Sequence, residues 1–82
     1  MKVDKTTIIN VKDVEKEEIK EDLISIFNDL DEIGYDSTKQ IVAYLISGDP
    51  GYISSHNDCR SRILKYKRED IIETMLINFT SK

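Results

Sequence analysis

Five cationic side chains lie within nine residues of the second half of the sequence, and they are the groups best suited to binding an anion. They are Arg60, Arg62, Lys65, Lys67 and Arg68. Arginine and lysine bind carboxylates and phosphates through charge-assisted hydrogen bonds. The cluster therefore predicts either a face that binds an acidic or phosphorylated group, or a basic surface that contributes only to solubility.

Two adjacent hydroxyl groups, those of Thr6 and Thr7, lie in residues 1–12, which have no helical period. The β-branched residues in this stretch would allow a short strand, but a single strand without a partner is not stable alone. We therefore predict a flexible N-terminal arm over residues 1–12, in which both hydroxyl groups are accessible.

The other groups that could do chemistry are isolated. His56 and Cys59 are three positions apart, but the chain has no further histidine or cysteine to complete a metal site. We expect His56 to cap a helix or form a hydrogen bond, and Cys59 to pack in the core. The glycine-rich turn at residues 47–51 lacks the Lys-Ser/Thr ending of a nucleotide-binding loop. With no nucleophile and base in a recognisable pattern, we predict a protein that is not an enzyme and needs no metal or cofactor.

Length and charge limit the possible classes of protein. Eighty-two residues form one domain at most. The net charge is −4, with −6 in residues 1–36 and +2 in the remainder, which argues against a protein whose main role is nucleic-acid binding. The lone cysteine, the absence of a signal peptide and the absence of a long apolar run lead us to expect a cytoplasmic protein without membrane insertion. A small core without disulfide bonds also favours oligomerisation.

The hydrophobic periodicity predicts an all-α fold: a compact bundle of four longer helices and one short helical turn, in a single domain over residues 13–82. The first helix covers residues 13–33, starts at Asp13 as its cap and carries one continuous apolar stripe. Gly34 follows as a left-handed stop.

The second predicted helix, over residues 37–47, is apolar on almost every side, so one small domain would not cover it completely. We expect Ser37 or Thr38 to cap it and Gly48 to end it. Core or dimer contacts are predicted for Ile41, Tyr44, Leu45 and Tyr52. The short helical turn then follows, with Asp49 as its cap and Pro50 at its first position.

Two further helices are predicted, over residues 56–67 and 68–79. On the first of them, Cys59 and Ile63 share an apolar face, and the basic side chains occupy the other sides. The stripe of the last helix consists of Ile71, Ile72, Met75, Leu76 and Phe79.

The residues from Gln40 to Ile53 (Gln-Ile-Val-Ala-Tyr-Leu-Ile-Ser-Gly-Asp-Pro-Gly-Tyr-Ile) resemble the IreB/ReoM family of small regulatory phosphoproteins from Gram-positive Firmicutes. The similarity extends over the chain from about Asp4 to Phe79. It includes Gly34-Tyr35, His56, Arg60 and residues 68–73. This resemblance implies an all-helical homodimer with a mobile N-terminal arm.

The resemblance also implies a function. A threonine of the arm is phosphorylated by a membrane-anchored Ser/Thr kinase with PASTA domains, and a PP2C-type phosphatase reverses the modification. The family controls peptidoglycan synthesis and envelope stress resistance; in some members the unphosphorylated protein promotes Clp-protease degradation of the enolpyruvyl transferase that opens this pathway. The family threonine matches Thr6, with Thr7 as the neighbouring alternative. The partner-binding residues expected are His56, Arg60, Arg62, Lys65 and Arg68.

Two positions depart from the family pattern on the basic face. Ser55 and Leu64 occur where relatives often carry arginine, which affects the partner contacts expected of this member. Our hypothesis is that the unphosphorylated protein holds a partner with the basic face, and that phosphorylated Thr6 masks this face or blocks the partner. An alternative is a helix-turn-helix DNA-binding protein with Arg60 and Arg62 on a recognition helix.

Overall fold

The computed structural model describes residues 11–81, with side chains from residue 15 onward. Its α-helices are α1 (Val11–Glu32), α2 (Ser37–Ser47), α3 (Cys59–Ile63) and α4 (Arg68–Phe79), and two short 3-10 turns cover Pro50–Tyr52 and His56–Asp58. No strand occurs between residues 11 and 81, so the predicted all-α class is confirmed. The predicted arm over residues 1–12 lies outside the described residues, except that residues 11 and 12 belong to α1.

The other three helices all pack against α1. Its buried side chains recur at steps of three and four residues, at Ile19, Leu23, Ile26 and Leu30. A helix of this length extends about 33 Å, which lets one stripe contact several neighbours. The helix begins two residues before the predicted start and ends one residue before the predicted end. Asp13 therefore lies inside the helix and does not cap it, contrary to the prediction.

α2 has the predicted bounds but a different N-cap. The Asp36 side chain accepts a hydrogen bond from the Lys39 amide at 3.1 Å, so the cap is Asp36 and neither Ser37 nor Thr38. Ser37 is buried, and its hydroxyl donates to the Asp31 carboxylate at 2.7 Å. At the other end Gly48 adopts the expected left-handed conformation, with φ of 78°.

The corner after α2 forms as the sequence predicts. Asp49 accepts a hydrogen bond from the Gly51 amide at 2.8 Å, and Pro50 is the first residue of the 3-10 turn. Ile53 follows this turn and is completely buried. The corner therefore ties the end of α2 to the core.

The predicted long helix over residues 56–67 is wrong. Asn57 and Asp58 have φ values of 50° and 59°, in the left-handed region that these two residue types tolerate better than most. They belong to the 3-10 turn His56–Asp58 and interrupt the helix there, so that α3 is only five residues long and ends at Ile63. The five basic residues consequently lie on a helix, a turn and the start of the next helix instead of one helical face.

α4 has the predicted bounds, but only some of its apolar residues pack in the core. Ile71 and Thr74 are buried, whereas Ile72, Leu76 and Phe79 are exposed. The predicted stripe is therefore divided between a buried side and an uncovered side. The core itself is one cluster, made of Ile19, Leu23, Ile26, Leu30, Ile41, Tyr44, Ile53, Cys59, Ile63 and Ile71.

Candidate interaction surfaces

Arg62 is part of the fold and is not free on a basic face. Its Nη1 donates to Asp29 Oδ2 at 2.7 Å and to the Asn57 carbonyl at 3.0 Å, while Nη2 donates to the Ser25 hydroxyl at 2.6 Å. The hydrogen bond from Arg62 lowers the pKa of Asp29, and the same bond raises the pKa of Arg62. These contacts fasten α3 and the preceding turn to α1.

Lys65 is also paired within the chain. Its ammonium lies 3.2 Å from Asp22 Oδ2 and 5.5 Å from the centroid of the Tyr66 ring. The Tyr66 hydroxyl donates to the same Asp22 oxygen. The hydrogen bond from Tyr66 and the proximity of Lys65 lower the pKa of Asp22, and burial together with the carboxylate raises the pKa of Tyr66. The Asp22 carboxylate of α1 thus offsets much of the charge of Lys65.

Arg60 and Arg68 differ from these two residues, because their hydrogen bonds go to backbone carbonyls. Arg60 Nε donates to the Ile53 carbonyl at 2.9 Å, and Arg68 Nη1 donates to the Leu45 carbonyl at 3.2 Å. Among residues 15–81, neither arginine forms an ion pair with a carboxylate within 4 Å. Both residues are exposed, and their hydrogen bonds hold the guanidinium groups at the corner that follows α2. Together with Lys67, which also forms no ion pair among residues 15–81, they are the members of the predicted basic cluster whose charge is available to an external anion.

His56 is half-buried, and its Nε2 is buried without a hydrogen-bond partner. The backbone amide of His56 donates a hydrogen bond to the Ser54 hydroxyl at 3.1 Å. This bond involves the main chain of His56 and not its imidazole ring. Its predicted role in partner binding remains a prediction. Cys59 is completely buried, as predicted for a core residue, and burial raises the pKa of its thiol. Residues 15–81 contain no group of three side chains suited to holding a metal.

The residues predicted for core or dimer contacts have different surroundings. Ile41 and Tyr44 are buried in the core of the chain itself, and Leu45 is half-buried against it. Tyr52 is exposed. The exposed apolar residues of α2 are instead Val42 and Ile46, on the side of the helix that faces away from the core.

An apolar groove between two helices was not predicted from the sequence. A groove of about 350 Å³ lies between α1 and α4, and its lining residues are Lys20, Leu23, Ile24, Phe27, Thr74, Met75, Asn78 and Phe79. Phe79 is 87% exposed at its edge. A separate, shallower depression of about 500 Å³ lies on another side of α4, along Ile72, Leu76 and Ile77. The sequence did contain a sign of this exposed surface. The apolar residues of α4 cover more of the helix surface than one buried stripe requires.

The basis of the DNA-binding alternative is absent from the described residues. The proposed recognition helix is five residues long, and one of its two arginines, Arg62, is bound to Asp29 and Ser25 of α1. A longer exposed helix would be needed to enter a major groove.

Three further observations concern the predicted phosphorylation, the membrane and the family of the chain. Thr6 and Thr7 precede the described residues, so their predicted phosphorylation is not tested by the fold. Over residues 11–81, none of the helices combines the length and apolar character required to span a lipid bilayer. A family model described as "IreB regulatory phosphoprotein" matches residues 4–81 of the sequence.

Proposed function

The chain belongs to the IreB family of regulatory phosphoproteins, and we propose that it is the cytoplasmic protein through which a PASTA-domain Ser/Thr kinase controls peptidoglycan synthesis. In this proposal the kinase phosphorylates Thr6, with Thr7 as the alternative acceptor, and a PP2C-type phosphatase reverses the reaction. The protein acts by binding and not by catalysis. The observation that carries the proposal is the family match, which includes both threonines.

The downstream step in this proposal is proteolysis. The unphosphorylated protein promotes degradation, by the Clp protease, of the enolpyruvyl transferase that opens peptidoglycan synthesis. Phosphorylation ends this effect, so the enzyme accumulates when the kinase is active. The envelope stress response of the cell follows from the amount of this enzyme.

The described residues support a specific site for the phosphate. Thr6 is five positions before Val11, so its position is within about 18 Å of the start of α1 in any conformation of the chain. The first turns of α1 lie beside the start of α4, where Lys16 Nζ is 3.8 Å from Glu73 Oε2 and Lys67 lines the same groove. Arg68 is the next residue along the chain.

The phosphate site in this proposal is smaller than the basic cluster of the sequence. Arg62 and Lys65 already contact carboxylates, whereas Lys67 and Arg68 form no ion pair among residues 15–81. A phosphate of about −1.5 to −2 charge would therefore bind Lys67 and Arg68 in preference to the other pair. The carboxylates of Asp70 and Glu73 nearby limit its affinity, which suits a reversible switch.

We also propose that the protein is a homodimer, with the groove between α1 and α4 as its interface. Phe79 and Ile24 are large apolar side chains that line this groove and are exposed. A second copy would remove them from water. In this proposal the dimer contact is on α1 and α4, instead of on Ile41, Tyr44, Leu45 and Tyr52.

The proposal is tested by incubating the purified chain with the kinase domain of a PASTA-domain kinase and ATP, followed by mass spectrometry of the intact protein and its peptides. We expect one phosphate on Thr6 in the wild type. Thr6→Ala should abolish it, and Thr7→Ala should leave it in place. Phosphate on neither threonine would contradict the proposed function.

The downstream step is tested by reconstituting degradation of the enolpyruvyl transferase with the Clp protease. The unphosphorylated chain and Thr6→Ala should both accelerate loss of the transferase, and the phosphorylated wild type should not. Phosphorylation without any effect on degradation would retain the kinase step and overturn the Clp step.

A further inference from the structure

The outer face of α2 and the following corner carry three exposed apolar side chains. Val42 and Ile46 are one helical turn apart and are 47% and 79% exposed, and Tyr52 is 52% exposed. The buried residues Ile41 and Tyr44 lie on the opposite side of the same helix, so neither Val42 nor Ile46 is needed for the core. This patch is separate from the groove between α1 and α4, whose lining residues belong to those two helices alone.

Two arginines are fixed next to this patch by backbone hydrogen bonds. Arg68 is bonded to the carbonyl of Leu45, the residue directly before Ile46. Arg60 is bonded to the carbonyl of Ile53, the residue directly after Tyr52. Each guanidinium uses one nitrogen for this bond, which leaves other N–H groups available at a defined position.

The charge around the patch is mainly positive. Lys39 lies on the same side of α2 as Val42 and Ile46, at a spacing of three and seven residues. The nearest acidic residue of the corner is Asp49, and its Oδ1 accepts the hydrogen bond from the Gly51 amide at 2.8 Å. An apolar centre with fixed cations at its edge is complementary to an apolar segment flanked by carboxylates.

We propose that the α2 face and the corner form a docking site for an acidic amphipathic segment of a partner protein. Ile46 and Tyr52 contact the apolar side of this segment, and Arg60 and Arg68 bind its carboxylates. This inference rests on the proposed function, because it specifies the class of partner that the regulatory protein holds. Since Arg68 also belongs to the proposed phosphate site, a phosphorylated arm and an acidic partner compete for the same guanidinium.

The experiment is an NMR titration of the full-length, ¹⁵N-labelled protein in its unphosphorylated form. The probe is a synthetic helical peptide with leucines on one face and glutamates on its flanks. A second peptide has lysine at every glutamate position, and inorganic phosphate is a third probe. We expect the acidic peptide to shift the amide signals of Ile46, Tyr52 and their neighbours, and the basic peptide to leave them in place. Inorganic phosphate should shift only the signals around Arg68, which belongs to the proposed phosphate site.

Matched variants locate the contact. Ile46→Ser should weaken binding of the acidic peptide about tenfold, because one aliphatic contact is lost. Phe79→Ser makes a similar change in the groove between α1 and α4 and should leave the affinity unchanged. Arg60→Gln and Arg68→Gln should each lower the affinity for the acidic peptide and make it less dependent on salt. Arg60→Lys keeps the positive charge, so it should lower the affinity less than Arg60→Gln does. Thermal unfolding of each variant identifies any loss of fold.

Three results would overturn the docking site. They are equal affinity for the acidic and basic peptides, unchanged affinity of Ile46→Ser, and signals at this patch that change with protein concentration before any peptide is added. The last result would assign the patch to a second copy of the chain. The titration uses neither kinase nor Clp protease, so a failure here is separate from a failure of the proposed phosphorylation.

Discussion

Arg62 Nη1 lies 2.7 Å from Asp29 Oδ2 and joins the short third helix to the long first helix. Both side chains are about three-quarters buried. The remaining donors of the guanidinium reach Ser25 on α1 and the carbonyl of Asn57. A residue that the sequence suggested for partner binding therefore holds the turn at Asn57 and Asp58 against the core.

We predict that Arg62→Ala destabilises the fold more than Arg60→Ala. Arg62→Ala removes three hydrogen bonds to oxygen and a weak one to Cys59 Sγ, and it leaves Asp29 without its cation. Arg60→Ala removes one bond from Nε to a carbonyl. The loss of unfolding free energy should be roughly twice as large or more for Arg62. Urea denaturation followed by circular dichroism measures both variants.

The control for this prediction is a double-mutant cycle with Asp29→Ala. If the two side chains stabilise one another, the double variant should be less destabilised than the sum of the single variants. Equal stability of Arg62→Ala and Arg60→Ala would show that Arg62 is not a structural residue.

The sequence predicted both α2 and α4 to their terminal residues. For α2, residues that favour the end of one helix and the start of the next follow directly. Gly48 supplies a left-handed stop, and the Asp49-Pro50 pair starts the next turn. The helix predicted over residues 56–67 failed at Asn57 and Asp58. Asparagine and aspartate occur in helices, turns and the left-handed region alike, so the local sequence did not determine which conformation they adopt.

The candidate site shows a similar limit. Sequence spacing placed five cations close together, but it could not show which of them have acidic partners, since Asp22 and Asp29 are more than thirty residues away in the chain. Only the packing of α3 on α1 separates Arg62 and Lys65 from Arg60 and Arg68. The exposed side of α4 could not be predicted for a related reason. Periodicity identifies apolar residues but does not show what covers them.

We predict two separate effects of pH on stability around Asp22 and Tyr66. The pKa of Asp22 is lowered in the folded state, so its stabilising contribution is present above the ordinary aspartate pKa and is lost as the pH falls through the lowered value. The pKa of Tyr66 is raised in the folded state. Its contribution is therefore present below the ordinary tyrosine pKa near 10 and is lost at higher pH, where the unfolded chain ionises first.

Urea denaturation at a series of pH values tests this prediction. Asp22→Asn should flatten the acid side of the stability profile, and Tyr66→Phe should flatten the alkaline side. Tyr52→Phe is the matched control, because Tyr52 is exposed and its substitution should leave both sides unchanged. A Tyr66→Phe profile that matched the wild type above pH 10 would contradict the assignment.

We predict that Gly48→Ala is more destabilising than Gly34→Ala. Both glycines have positive φ, of 78° and 85°, so alanine is strained at either position by about 1 kcal/mol. A Cβ at Gly48 would also lie 2.9 Å from Arg68 Cζ, whereas a Cβ at Gly34 meets nothing within 4 Å. Because the guanidinium ends a flexible side chain, it can move aside at the cost of its hydrogen bond to the Leu45 carbonyl. The additional loss at Gly48 should therefore be about 0.5 kcal/mol, as measured by urea denaturation.

The Arg68 side chain provides the control. In an Arg68→Ala background the two alanine substitutions should have nearly equal effects, because the contact at Gly48 is gone. A difference between them that persisted in this background would show that Arg68 does not restrict the position.

We predict that Phe79→Ser converts the protein to a monomer. The side chain is 87% exposed at the edge of the groove between α1 and α4, so its replacement removes little from the core of the single chain. If a second copy covers this groove, losing one aromatic contact on each copy should weaken the dimer at least about tenfold. Size-exclusion chromatography with light scattering at several protein concentrations gives the dissociation constant.

Two controls accompany this prediction. Ile46→Ser, which removes an exposed apolar residue of α2, should leave the dimer intact. Phe79→Ser should retain the circular dichroism spectrum of the wild type. A dimer that persists in Phe79→Ser and dissociates in Ile46→Ser would place the interface on α2.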